Sequence, residues 1–185
     1  QIASCIDHTL LKPNAGFSDI NQLCKEAHTF GFYSVCVNPW LVKEAANNLK
    51  NSPVKICSVA GFPLGTNTSM IKLKEIETCL NDGASEIDMV MNIGFFKDRK
   101  LKAVVNEFKE AKKMTADAIL KIIIETSLLT KDEIVTASKA VEESGADFVK
   151  TSTGFNGDGA TVSNIILIQN TLGTETLIKA SGKIN

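Results

Sequence analysis

Three charged residues stand in this sequence where charge is costly. Lys150 lies inside the apolar run of "GADFVKTSTGF", Asp88 inside "EIDMVMN" and Lys179 inside "TLIKASG". Each run reads as a short buried strand, and a buried ammonium or carboxylate must be paired or neutralised. The plain reading is a lysine snorkelling from a strand end and a carboxylate satisfied in the core. Two lysines and an aspartate near the ends of apolar strands are harder to read as solvated surface. Such a trio suits catalysis by an amine nucleophile. A lysine attacks a carbonyl only when neutral, and at its free pKa near ~10.4 roughly one in 2,000 is neutral at pH 7. Burial and a neighbouring cation both lower that pKa, and a depression of about 3 units makes close to half the groups neutral. Either lysine can be the nucleophile and the other the cation, with Asp88 compensating charge and moving protons. Spacing leaves that choice open.

Other residues can complete a site. Asp7 and Thr9 share one face of "IDHTLL" and can hold a substrate hydroxyl or one of the lysines. Gly154 and Gly182 belong to the turns "TSTGFNGDGAT" and "ASG", whose backbone N–H groups can bind phosphate. The loop "GFPLGTNT" (61–68) has the same punctuated character. Cys36 reads as a small buried hydrophobe rather than a reactive thiol. His8 alternates away from Asp7 and reads as packing against a helix, and His28 has no visible partner; as the only histidines they exclude a histidine-rich metal centre.

The elements that must position these residues alternate strictly. Strands are expected at 6–11, 33–39, 55–61, 86–92, 120–125, 148–153 and 176–182, with helices near 18–30, 40–49, 69–82, 98–116, 131–144 and 161–172. Ser18 is a candidate N-cap, Thr130 with Glu133 reads as a capping box, and Gly31 is placed to end the first helix. Strand–helix alternation implies a parallel sheet, either doubly wound and open or closed as a barrel. Gly31, Gly83 and Gly145 each close a helix, and five positions on stand Cys36, Asp88 and Lys150. The shared offset puts the three at one height near the strand C-termini, where a barrel would converge them on its axis. The expected fold is therefore an α/β (β/α)₈ TIM barrel forming a single domain over 1–185. Only seven strands are readable, against the ~250 residues of a typical barrel, so the chain is expected to be C-terminally truncated, without its last βα unit.

Composition bounds the function. The chain has 185 residues, 44% apolar and 22% charged, with a net charge of -1. That gives no electrostatic footprint for nucleic acid or an anionic membrane, and no apolar run reaches the ~20 residues of a membrane helix. The five cysteines are scattered, without a C-x-x-C pair, which argues against a disulfide framework or a zinc site and makes a cytoplasmic setting the expectation.

The blocks "IDHTLLKP", "VCVNPWLV", "GFPLGTNT", "GASEIDMVMNIG", "IIETSLLT", "GADFVKTSTGF" and "IKASG", in that order, resemble the deoxyribose-phosphate aldolase family from Ile6 to Gly182. The resemblance implies a (β/α)₈ barrel with a lysine Schiff base, no metal and no organic cofactor. It implies reversible cleavage of 2-deoxy-D-ribose 5-phosphate to acetaldehyde and D-glyceraldehyde 3-phosphate, within deoxyribose catabolism. Small phosphosugar and aldehyde substrates would be the partners, and a homodimer is an assembly open to such an enzyme. Residue by residue, it makes Lys150 the Schiff-base nucleophile, Lys179 the cation that depresses its pKa, and Asp88 the proton carrier. Asp7, Thr9, Thr153, Gly154 and Gly182 fall among its substrate contacts. Lys183 and Asn185 stand where the family pattern "ASGGIR" has a glycine and an arginine. A different phosphosugar lyase and a non-catalytic phosphosugar-binding barrel are the rival readings.

Overall fold

The computed structural model describes residues 2–184. Among them, seven parallel strands run β1 (Asp7–Leu10), β2 (Ser34–Val37), β3 (Lys55–Ala60), β4 (Glu86–Val90), β5 (Ile119–Ile123), β6 (Phe148–Lys150) and β7 (Leu177–Lys179). They are hydrogen-bonded in the order β1-β2-β3-β4-β5-β6-β7. A doubly wound sheet reverses its strand order at a switch point, and this one never does. The helices are α1 (Phe17–Phe30), α2 (Val42–Asn48), α3 (Ser69–Asn81), α4 (Ile93–Lys97), α5 (Leu101–Thr115), α6 (Lys131–Ser144) and α7 (Val162–Gln169).

The sheet is strongly curled. Six inter-strand steps of about 4.8 Å would hold the first and last strands of a flat sheet about 29 Å apart. Instead Lys179 Nζ of β7 lies 2.8 Å from Asp7 Oδ2 of β1. Seven strands of a (β/α)₈ barrel are thus in place, with β1 and β7 facing one another across the remaining gap.

Local signals explain the helix limits. Gly31 and Gly145 end α1 and α6 in the left-handed region, with φ of 68° and 76°. Thr130 Oγ1 accepts from Glu133 N, and Thr130 N donates back to Glu133 at 2.7 Å, closing the expected box. The N-cap of α1 is Gly16 rather than Ser18. Asp19 decides this, because its carboxylate accepts from Gly16 N at 2.8 Å and draws the helix start back by two residues. α4 was not expected from sequence. It is a short helix capped by Asn92, whose side chain accepts from Phe95 N.

Alternation along the strands builds two apolar regions. Val35, Val37, Ile87, Met89, Ile122 and Val149 point outward into a large core shared with the helix faces of Ile20, Ile76, Phe108 and Val141. Leu11, Cys36, Cys57 and Val59 form a smaller cluster inside the curl. Burying each large outward side chain contributes roughly 1.5–3 kcal/mol, so the outer layer holds the helices on while the inner face is left to chemistry.

A charged pair is buried in the outer layer. Lys72 of α3 is fully buried and donates to Val90 O at 2.9 Å and to Glu107 of α5 at 3.0 Å. Ser69 donates to the other oxygen of Glu107 at 2.7 Å.

Candidate active site

Strand register arranges the inward side chains in layers. Cys36 pairs with Cys57 and Cys57 with Glu86, so Asp88 stands two residues further on, across two strands. Asp88 pairs with Lys121 and Lys121 with Phe148, so Lys150 is again two residues further on, across two strands. One residue per strand is the stagger of an eight-stranded barrel of shear eight. Cys36, Asp88 and Lys150 therefore share a height, as their spacing after the helix-closing glycines predicts. The same stagger links Asp7, Cys57, Lys121 and Lys179 of the odd strands in a layer just beneath. Glu86 lies in the layer below that.

Charges from these layers form one chain of contacts. Asp88, fully buried, receives the Lys150 ammonium on Oδ2 and Lys121 on Oδ1 at 2.9 Å. Lys121 also lies 2.5 Å from Glu86 and 3.8 Å from Asp7. Asp7 accepts from Ser34 Oγ at 2.9 Å and pairs with Lys179, which also donates to Cys5 O at 3.2 Å. Three lysines thus face three carboxylates, and their formal charges cancel.

The balance sets the protonation states. Burial would raise Asp88, but Lys121 and Lys150 outweigh it and hold the carboxyl well below the usual range. Burial would strip Lys121 of its proton, yet Asp88, Cys57, Glu86 and Asp7 together hold it above the ordinary lysine range. Lys150 behaves likewise, with burial overcome chiefly by Asp88. This corrects the expectation that a neighbouring Lys179 depresses Lys150. The group touching Lys150 is a carboxylate, and Lys179 is engaged by Asp7. Tyr33 is pushed up to about 12 by burial and by Glu86.

Above these layers the loops after β6 and β7 meet. A Cβ on Gly159 would fall 1.8 Å from Gly182 O, and one on Gly182 would fall 3.2 Å from Gly154 Cα. Gly182 also has a φ of 81°. Backbones pack here because there are no side chains, leaving Gly154 and Gly182 side by side at the rim. Ala160 N donates to Ser181 O at 3.0 Å and fastens the two loops together. Lys183 keeps the left-handed backbone suited to the family's glycine, with a φ of 54°, and reaches Asp158 at 3.4 Å. Asn185 lies outside the described residues.

Lys150, Asp88, Lys179 and Asp7 are therefore brought together, and Gly154 and Gly182 adjoin one another. Thr9 donates to Asp7 O at 2.8 Å and is exposed beside the gap between β1 and β7. Thr153 is bound by a residue that sequence reading passed over. Its hydroxyl donates to Glu125, and its N–H lies 3.3 Å from both Glu125 oxygens. Glu125 is fully buried at a φ of 52° and also accepts from Asn156, so it organises the β6 loop from the end of β5. Lys121 was missed as well. Its signal was present as a lysine in the apolar run "LKIII", at the stagger that links the odd strands.

Comparison with known proteins agrees with this geometry. Residues 2–180 match the DeoC/LacD family aldolase. A deoxyribose-phosphate aldolase of Dictyoglomus turgidum is 46% identical, the match covering 100% of this chain and 84% of the relative. Deoxyribose-phosphate aldolase 1 of Bacillus licheniformis is 50% identical, covering 100% and 83%. The tetrameric deoxyribose phosphate aldolase of Aeropyrum pernix superposes with a TM-score of 0.92 at 32% identity, over 99% of this chain and 78% of that one. With its strand order, its layered charges and these likenesses in accord, the chain belongs to the DeoC/LacD aldolase family.

Proposed function

We propose that this protein is a class I aldolase that cleaves 2-deoxy-D-ribose 5-phosphate reversibly to acetaldehyde and D-glyceraldehyde 3-phosphate through a Schiff base on Lys150. The observation that carries the assignment is the buried contact of Lys150 with Asp88 at the inner end of β6. Lys150 gives up its proton, and its free amine adds to the C1 aldehyde of the open-chain sugar. The carbinolamine loses water to become an iminium. A proton leaves the C3 hydroxyl, the C2–C3 bond breaks, and its electron pair moves into the iminium to leave an enamine. Protonation at C2 and hydrolysis release acetaldehyde and restore the lysine.

The ion pair supports this reading. An iminium carries the same charge as the ammonium now held by Asp88, so the carboxylate is already aimed where positive charge returns. Lys121 and Lys179 share the proton traffic through Asp88 and Asp7. Thr9 and Thr153 are placed for substrate hydroxyls, and the loops carrying Gly154 and Gly182 for the phosphate. Residues 1–185 are read as one barrel domain. The five cysteines are free thiols, which supports a cytoplasmic setting. No helix among the described residues is long and apolar enough to cross a membrane. A homodimer is the proposed assembly.

Borohydride reduction with deoxyribose 5-phosphate should fix a two-carbon adduct on Lys150, and Lys150→Ala should abolish both adduct and turnover. An adduct that persists in the variant would reject the assignment. Because Lys150 is held above its ordinary pKa and must be neutral to attack, trapping should quicken with rising pH, up to about tenfold per unit below that pKa.

A further inference from the structure

We infer that the barrel interior contains a binding site for a thiophilic divalent cation of the zinc or cadmium class, formed by Cys36, Cys57 and Asp88. The two thiols are 21 residues apart in sequence yet are register partners on β2 and β3. Their sulfurs and an oxygen of Asp88 all lie within 4.8 Å of one another, and all three residues are buried. Around a tetrahedral ion with metal–sulfur bonds near 2.3 Å, two sulfurs stand about 3.8 Å apart, so the set needs to close by no more than about 1 Å of side-chain rotation. Two soft sulfurs and one carboxylate favour such an ion over magnesium or calcium, which require oxygen ligands.

Charge arithmetic favours a divalent ion in this crowded interior. Binding of M²⁺ forms two metal–thiolate bonds and breaks two S–H bonds, with both protons leaving to water. The net charge of the site is unchanged. Lys121 Nζ lies 3.5 Å from Cys57 Sγ and can remain beside the sulfur it already contacts. Cys36 and Asp88 share the height of Lys150, so the ion would take Asp88 from that lysine and fill the space a carbonyl must enter. Bound metal should therefore inhibit, a consequence that rests on the proposed role of Lys150, whereas the binding itself does not.

The test is titration of the full chain with Cd²⁺, following the ultraviolet cadmium–thiolate band alongside aldehyde trapping. One equivalent should raise the band, with apparent affinity climbing by up to about 100-fold per pH unit as two protons are released. Cys36→Ser and Cys57→Ser, with folding checked by circular dichroism, should each weaken binding at least about tenfold, and Cys5→Ser should not. A band that survives in both variants, or disappears with Cys5→Ser, would overturn the site. Should either serine variant fail to fold, the pH slope of the unaltered protein decides, since capture by a single exposed thiol releases only one proton. A band that forms without inhibition supports the site and counts against Lys150 as nucleophile.

Discussion

Asp88 is the residue on which the interior turns. It pairs with both Lys121 and Lys150 from a position without solvent, and it is the carboxylate that holds Lys150. Asp88→Asn keeps the shape and removes the charge, so two ammonium groups are left competing for Glu86 and Asp7. Breaking a buried pair from one side costs about 3–5 kcal/mol, and urea melts of the variant should show a loss of that size. Lys183 offers a contrary case. Its left-handed backbone suits glycine, and Lys183→Gly should stabilise the chain by about 0.5–1 kcal/mol in the same melts. Asp88 and Lys150 were legible in sequence as charges in apolar strands. Their mutual contact was not, because residues 62 apart meet only once the sheet curls.

At the scale of elements, the Lys72–Glu107 pair ties α3 to α5 and caps the last carbonyl of β4, the strand that carries Asp88. It is the outer counterpart of the inner charge cluster. Glu107→Gln should destabilise by about 3–5 kcal/mol because it strands a buried ammonium. The double change Lys72→Met with Glu107→Leu should cost distinctly less, since it removes both charges and keeps the volume. A double-mutant cycle by thermal or urea unfolding measures the difference. Helix spans were readable from periodicity and from glycine and Thr130 signals. Lys72 was invisible within a helical pattern, where a lysine is by default solvated. The start of α1 was misplaced because Ser18 and Asp19 both offer a cap, and Asp19 reaches Gly16.

At the scale of the whole molecule, the charge cluster should shape stability against pH. Asp88 is depressed in the fold, so its contribution is present above the unfolded value near ~3.9 and is lost as pH falls through the folded one. Lys121 and Lys150 are raised, so theirs is complete below about 10.4 and is lost as pH rises through their folded values. The buried thiols of Cys24, Cys57 and Cys79 are raised as well, so their contribution begins to fade above about 8.5. Melting temperature followed by circular dichroism should be flat between about pH 4 and pH 8 and fall on both sides, and the acid fall should shrink in Asp88→Asn.

The sequence by itself determined the alternation of elements, the parallel sheet, the two candidate lysines and the glycine turns. These follow from local chemistry: burial period, caps, and charges too costly to leave unexplained. Only tertiary structure decided who partners whom. The curl brings β7 against β1, the one-residue stagger sorts the interior into layers, and Lys121 and Glu125 take their places through contacts across strands. Pairing of buried charges depends on distances through space, and no spacing along the chain encodes those distances until the barrel has formed.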